Sequence, residues 1–335
     1  MRTSARLIVD SDGGIDDATA LWWLCRNPDV DLVAVTAVGG SVPVAQAAIN
    51  LRFILEAAGA GHVPVFPGRD QTAPAPPTRR PVMIHGHDGL ADLARTRPVH
   101  APEAGKSALD AFDELCQPGT SVLALGPMTN LAAGITSGAL RADGATLTFM
   151  GGSARAGGNA RPTAEANIAH DPSAADVVIR ASWSAPPRMV GLDVTHRATL
   201  TKREFDDLAT SRTPAAKFLA GRLAYYSRHA GMLCVPGETP CHDLFAAMVC
   251  ADPTYFEAEV LDLQVDTGGG AAWGTTVVDL RPVARRAHGS ASAGDGNATG
   301  EGAAVQVGLD ADVDRFRATF RSFVTSPLPN TKGTN

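Results

Sequence analysis

The stretch Leu7-Ile-Val-Asp10-Ser-Asp12-Gly-Gly-Ile-Asp16-Asp17-Ala-Thr-Ala-Leu21 decides how the rest of the chain is read. It opens on a short, partly β-branched apolar run, the composition of a buried strand. From Asp16 to Leu24 apolar residues recur at helical spacing, with two acids in the first turn, where the helix dipole favours negative charge. Gly13 and Gly14 stand between, and glycine accepts the unusual dihedral angles of a tight strand-to-helix turn. Four carboxylates therefore crowd the C-terminal end of one strand, where open α/β sheets hold their ligands. A helix cap needs one acid, and a cluster of four repels itself unless a cation sits in it. Oxygen-seeking Ca²⁺ or Mg²⁺ suits that chemistry, so the cluster reads as a metal site.

Outward from this stretch, strands and helices alternate. Strands are expected at Asp31–Val38, Val63–Phe66, Ser121–Leu125, Thr146–Met150 and Arg188–Asp193. Helices are expected at Val44–Ala58, Ala104–Cys116, after Asn130, and from Asp171-Pro172. The second half is richer in helix, at Lys202–Ala209, Pro214–His229 and His242–Ala251. It ends with a strand pair, Ala258–Asp266 and Thr275–Leu280, then strand Val305–Gly308 and helix Val313–Val324. This alternation predicts an α/β fold with a doubly wound, mostly parallel sheet and helices on both faces. The expectation is a single domain over residues 1–335, with a helix-rich C-terminal portion, a mobile loop at about 284–302 and a disordered tail at 327–335. Pro-rich Thr72 to Pro81 must be loop, and the long connection through His85-Gly-His-Asp-Gly89 is of a size that is often functional. Of Trp22 and Trp23, one at most is expected to face the core.

With 335 residues, 44% hydrophobic and 19% charged, the chain can bury a large core and is not a disordered polymer. A net charge of −6 argues against nucleic acid or an anionic membrane as partner. The five cysteines include no C-x-x-C pair, and no apolar run reaches membrane-spanning length or marks a signal segment; a reducing cytoplasm is the expected location. Polar groups recur just after expected strands: Asp12/Asp16/Asp17, Ser41, the Leu125 carbonyl, Asn159/Glu165/Asn167 and His242-Asp243.

Leu7-Ile-Val-Asp-Ser-Asp-Gly-Gly-Ile-Asp-Asp-Ala18 resembles the N-terminal signature of the calcium-dependent nucleoside hydrolases of the inosine–uridine-preferring family. The resemblance continues, in order, through Leu32-Val-Ala-Val-Thr36, Ile84-His-Gly86, Leu125-Gly-Pro-Met-Thr-Asn130, Met150-Gly-Gly152 and Gly158-Asn159. It runs on through Ala164-Glu-Ala-Asn167, Asp171-Pro172, Gly191-Leu-Asp-Val-Thr-His196 and Cys241-His-Asp243. It implies a hydrolase that cleaves the N-glycosidic bond of a nucleoside. Asp12, Asp17, the Leu125 carbonyl and Asp243 would ligate Ca²⁺, and Asp12 would also act as general base. Asp16 and Asn167 would bind ribose hydroxyls, Asn159 and Glu165 would lie near the 5′ end, and His85 would face substrate. His242 would assist the leaving base, and self-association as a homodimer or homotetramer is implied.

The chain departs from that pattern in places. Gly13 replaces a usual proline, costing turn rigidity but no chemistry, and Ser41 replaces a ribose-contacting asparagine. The tyrosine that many relatives carry ahead of the His-Asp pair is not evident around Ala230. Trp273 lies where some purine-specific relatives stack the base, or else packs locally at a hairpin tip. Two alternatives remain at this level: a metal-dependent phosphohydrolase opening on Asp10-Ser-Asp12-Gly13, and a non-catalytic nucleoside- or ribose-binding relative.

Overall fold

In the computed structural model, Leu7 and Val9 of β1 (Ala5–Ser11) face one side of a sheet and Ile8 the other, the period of two that a doubly covered strand requires. The structure describes residues 4–70, 82–93, 102–103, 105–230, 237–282 and 302–326. The strands that follow are β2 (Val30–Ala37), β3 (Val65–Pro67), β4 (Ser121–Ala124), β5 (Thr146–Met150) and β6 (Arg188–Val190). Then come β7 (Thr199–Leu200), β8 (Thr239–Pro240), β9 (Phe256–Val265), β10 (Thr276–Val278) and β11 (Ala303–Ala311). Among the described residues nine of them make one sheet, ordered β3-β2-β1-β4-β5-β6-β11-β9-β10; β7 and β8 pair separately. Pairing is parallel from β3 across to β11, and β9 runs antiparallel between β11 and β10.

Helices cover both faces. On the Leu7/Val9 side lie α1 (Ile15–Leu24), α2 (Val44–Ala57), α10 (Pro214–Ala230), α11 (His242–Ala251) and α12 (Val313–Thr325). On the Ile8 side lie α4 (Ala108–Leu115), α5 (Thr129–Ser137) and α7 (Pro172–Ile179). The shorter α3 (Val82–His85), α6 (Ala166–His170) and α8 (Leu192–Thr195), with α9 (Lys202–Thr210), complete the described helices. The predicted doubly wound architecture is the one observed. No described helix is long and apolar enough to cross a membrane.

Several boundaries differ from expectation. The expected strand Arg188–Asp193 stops at Val190: Gly191 caps α8, and Asp193 falls in its first turn. The helix expected from Ala104 starts only at Ala108, where the Ser107 N–H donates to Asp110 Oδ2 at 2.6 Å as an N-cap. β11 is longer than the expected Val305–Gly308 because it pairs along most of β9. Trp22 and Trp23 are both buried, since α1 is enclosed by the sheet, α10 and α11; Trp22 meets the Phe218 ring at 5.5 Å. The loop expected at 284–302, except its last residue, lies outside the described residues, as do the 327–335 tail and Thr72 to Pro81.

Candidate active site

The chain leaves β1 toward β2 and β3 on one side, and later places β4, β5 and β6 on the other. The strand order reverses between β1 and β4, so a crevice opens at their C-terminal ends. Asp12 follows β1 there, and Leu125 follows β4, tied back by its N–H to the Asp10 carbonyl at 2.8 Å. The turn from β1 into α1 is closed by its own side chains. Ser11 Oγ donates to Asp17 Oδ1 and accepts from the Gly13 N–H at 3.2 Å, while the Gly14 N–H reaches Asp17 Oδ2 at 3.0 Å.

A second helix N-terminus meets the first. The Asp243 N–H, in the first turn of α11, donates to Asp16 Oδ2 at 3.1 Å, so the two helix ends point their dipoles at one acidic cluster. Asp17 lies within hydrogen-bonding reach of both Asp12 and Asp243. Burial first, and then the charge of Asp17, pushes the Asp12 and Asp243 carboxyls well above the usual range. Burial likewise pushes Asp16 up to about 8, and its Oδ1 is buried with no partner among the described residues.

Asp10, expected in this cluster, lies outside it. Its Oδ1 accepts from Asn130 Nδ2 at 2.8 Å and Thr36 Oγ1 at 2.5 Å inside the sheet, and burial pushes it up to about 7. Asp10 is fully buried, which takes away the exposed Asp-x-Asp pair that the phosphohydrolase alternative needs.

Two neutral imidazoles flank the cluster. His85 Nδ1 accepts from the Ile15 N–H at 3.2 Å, and burial pushes the ring down to about 4. A Cβ on Gly14 would come within 2.8 Å of that nitrogen, so glycine admits the close approach. His242, at the start of α11, is pushed down to about 3 by burial, then by His196 and His85; its Nδ1 meets Thr195 Oγ1 at 2.8 Å. Tyr226 of α10 packs tilted against the His85 ring, centroids 5.6 Å apart, a site neighbour whose distance along the chain from the His-Asp pair leaves no signal in the sequence. Residues 231–236 lie outside the described residues.

The remaining expected residues divide their bonds between the site and the backbone. The Ser41 N–H donates to Asp12 Oδ2 at 2.6 Å, with its hydroxyl also on Asp12. A Cβ on the preceding Gly40 would lie 2.2 Å from Asp12 Oδ2, so this approach also requires glycine. Asn167 Nδ2 bridges the carbonyls of Leu125 at 2.8 Å and Met150 at 3.1 Å. Glu165 caps α6 and accepts from the N–H groups of Gly152, Asn167 and Ile168; Asn159 Oδ1 accepts from Ala166 N. Trp273 lies in the β9–β10 turn, whose Gly274 packs on Ala169 of α6, and its indole N–H is buried without a partner among the described residues.

Among the described residues no three His, Cys, Asp or Glu side chains stand ready-arranged around one point as a metal cage. The fit to a cation rests on donor chemistry. Asp12, Asp17 and Asp243 bring three mutually repelling carboxylates together, and the Leu125 carbonyl keeps a lone pair beyond the one Asn167 uses. An all-oxygen, anionic set of this kind suits a hard divalent cation.

The model of the inosine-uridine preferring nucleoside hydrolases matches residues 7–318. A probable uridine nucleosidase 2 of Arabidopsis thaliana is 32% identical over 269 residues, covering 79% of this chain and 83% of that protein. An inosine-uridine preferring nucleoside hydrolase of Leishmania major is 30% identical, covering 82% of this chain and 88% of that protein. A solved plant nucleoside hydrolase superposes with a TM-score of 0.83 at 26% identity, over 96% of this chain and 99% of that one. With the family model spanning residues 7–318 and the fold shared over nearly the whole chain, the protein belongs to the inosine-uridine preferring nucleoside hydrolases, enzymes that hydrolyse N-glycosyl bonds.

Proposed function

We propose that the chain hydrolyses the N-glycosidic bond of a ribonucleoside or close analogue to free base and ribose. In this reading Asp12, Asp17, Asp243 and the Leu125 carbonyl hold a Ca²⁺ ion. The observation that carries it is the meeting of three buried carboxylates, from the end of β1 and two helix N-termini, at the switch point of the sheet. When bound, the cation neutralises the cluster and lowers the pKa of a neighbouring water.

The chain's own residues do the rest. Asp12, held by Ser41 and pushed up by burial, takes the proton of the attacking water as general base. Asp16, whose Oδ1 has no partner among the described residues, accepts from a ribose hydroxyl, and Asn167 orients the sugar from the adjoining strand ends. Glu165 and Asn159 shape the α6 turn near the 5′ end. Cleavage pushes an electron pair onto the departing base. In this reading His85 and His242, kept neutral by burial, meet that charge as hydrogen-bond donors, and Trp273 contacts the base.

A screen of ribonucleosides and deoxyribonucleosides for released base, with and without Ca²⁺, tests the reading. Base release that requires the cation is expected, and Asp12→Asn is expected to cost at least about 10²-fold in kcat. Near-native turnover by Asp12→Asn, or release indifferent to a chelator after prolonged dialysis, would overturn it.

A further inference from the structure

α8, which lies within the Gly191–His196 stretch, carries the group that meets His242. The Cys241 N–H donates to the Ala198 carbonyl at 3.0 Å, which fixes the start of α11 beside the end of α8. There Thr195 Oγ1 lies 2.8 Å from His242 Nδ1, and the His196 ring stands edge-on to His242 at 5.8 Å. Thr195 is fully buried, so water does not take its hydroxyl proton. A helical threonine can donate to the carbonyl four residues back, but here Gly191 O already accepts from the N–H groups of Val194 and Thr195, at 3.2 and 3.0 Å. Among the described residues His242 Nδ1 is the acceptor left to it.

The direction of this bond has a chemical consequence. A neutral imidazole carries one proton, and the partner of one nitrogen decides which nitrogen bears it. If Nδ1 held the proton, Nε2 would only accept, and His242 would offer nothing to a base leaving with an electron pair. We propose that Thr195 is a positioning residue for His242: its hydroxyl donates to Nδ1, which leaves the proton on Nε2 and makes that edge a donor to the leaving base. The inference rests on the reading that His242 faces the leaving base, and it adds the residue that sets its tautomer.

Two experiments decide it. Long-range ¹⁵N–¹H NMR of the intact protein, with the His242 signals assigned by their loss in His242→Ala, reads the tautomer directly. The proton on Nε2 is expected, and the proton on Nδ1 overturns the proposal whether or not any Thr195 variant folds. In kinetics, Thr195→Val is expected to lower kcat on uridine or inosine by roughly 5- to 100-fold, the range for one buried hydrogen bond, with KM little changed. It should leave p-nitrophenyl riboside, whose leaving group needs no proton, near the native rate, and Thr195→Ser should restore the nucleoside rate. Equal loss on both substrate types, or no rescue by serine, overturns the proposal. His242→Ala run alongside separates the two readings. If it too slows both substrates alike, the role of His242 falls and the proposal with it; if it is selective while Thr195→Val is not, only the proposal falls.

Discussion

Gly13 holds φ at +71°, and a Cβ there would meet the Ala47 carbonyl oxygen at 3.0 Å. Its N–H is also in use, on Ser11 Oγ, which in turn holds Asp17. Proline fixes φ near −65° and has no N–H to give. Gly13 is thus more than a loss of turn rigidity: in this chain the turn follows a path that proline cannot take. Gly13→Pro, though it restores the common family residue, is therefore expected to lower stability by at least about 1 kcal/mol and to disturb Asp17. Thermal melting with parallel kinetics checks this, and an unchanged or raised Tm would contradict it. Ser41 shows the same kind of local rewriting. Ser41, which stands where the resemblance puts a ribose-contacting asparagine, gives both its N–H and its hydroxyl to Asp12.

At the scale of elements, two buried helix N-termini converge. α1 brings Asp16 and Asp17 in its first turn, α11 brings His242 and Asp243, and the Asp243 N–H to Asp16 Oδ2 bond joins them. The two oxygens of Asp16 thus differ, Oδ2 tying the helices together and Oδ1 without a partner among the described residues. Asp16→Asn keeps an oxygen for the Asp243 N–H and is expected to hold the unfolding free energy within about 1 kcal/mol of the native value while losing most turnover. Asp16→Ala leaves that N–H unmade and is expected to cost about 1–3 kcal/mol as well. Equal melting of the two variants would show that the bond between the helices does not matter. The acids on α1 were legible because they are consecutive with a strand end and two glycines. The burial of both Trp22 and Trp23 was not, because it depends on α10 and α11, more than a hundred residues further along the chain. Asp10 misled for a related reason: only the packed sheet shows that its partners are Thr36 and Asn130.

At the scale of the whole molecule, sequence periodicity carried the strand and helix alternation, but strand order is a property of long-range pairing. The order β3-β2-β1-β4-β5-β6 puts Asp12 beside Leu125 and leaves room for α11 to deliver Asp243 from the far end of the chain. Only the family resemblance, and not spacing, connected those residues beforehand. The assembled cluster should make stability depend on both pH and cation. Asp12 and Asp243 are pushed above the usual carboxyl range in the fold, so the folded state binds protons that the unfolded chain has released. Their contribution is present below the ordinary aspartate pKa and is lost as pH rises toward the raised values. A divalent cation binds the ionised carboxylates and offsets that loss, so its effect must grow in the same direction. Protein stripped of metal is expected to melt lower at about pH 8 than at about pH 5, and Ca²⁺ at about 100 times its Kd to add about 2.7 kcal/mol at the higher pH and less at the lower. Thermal melts across that range, with Ca²⁺, Mg²⁺ and chelator in parallel, measure it. A cation effect that is absent in Asp17→Asn but present in the unaltered protein would assign the gain to this cluster. A gain that is the same at both pH values would mean that these carboxylates are not what the ion binds.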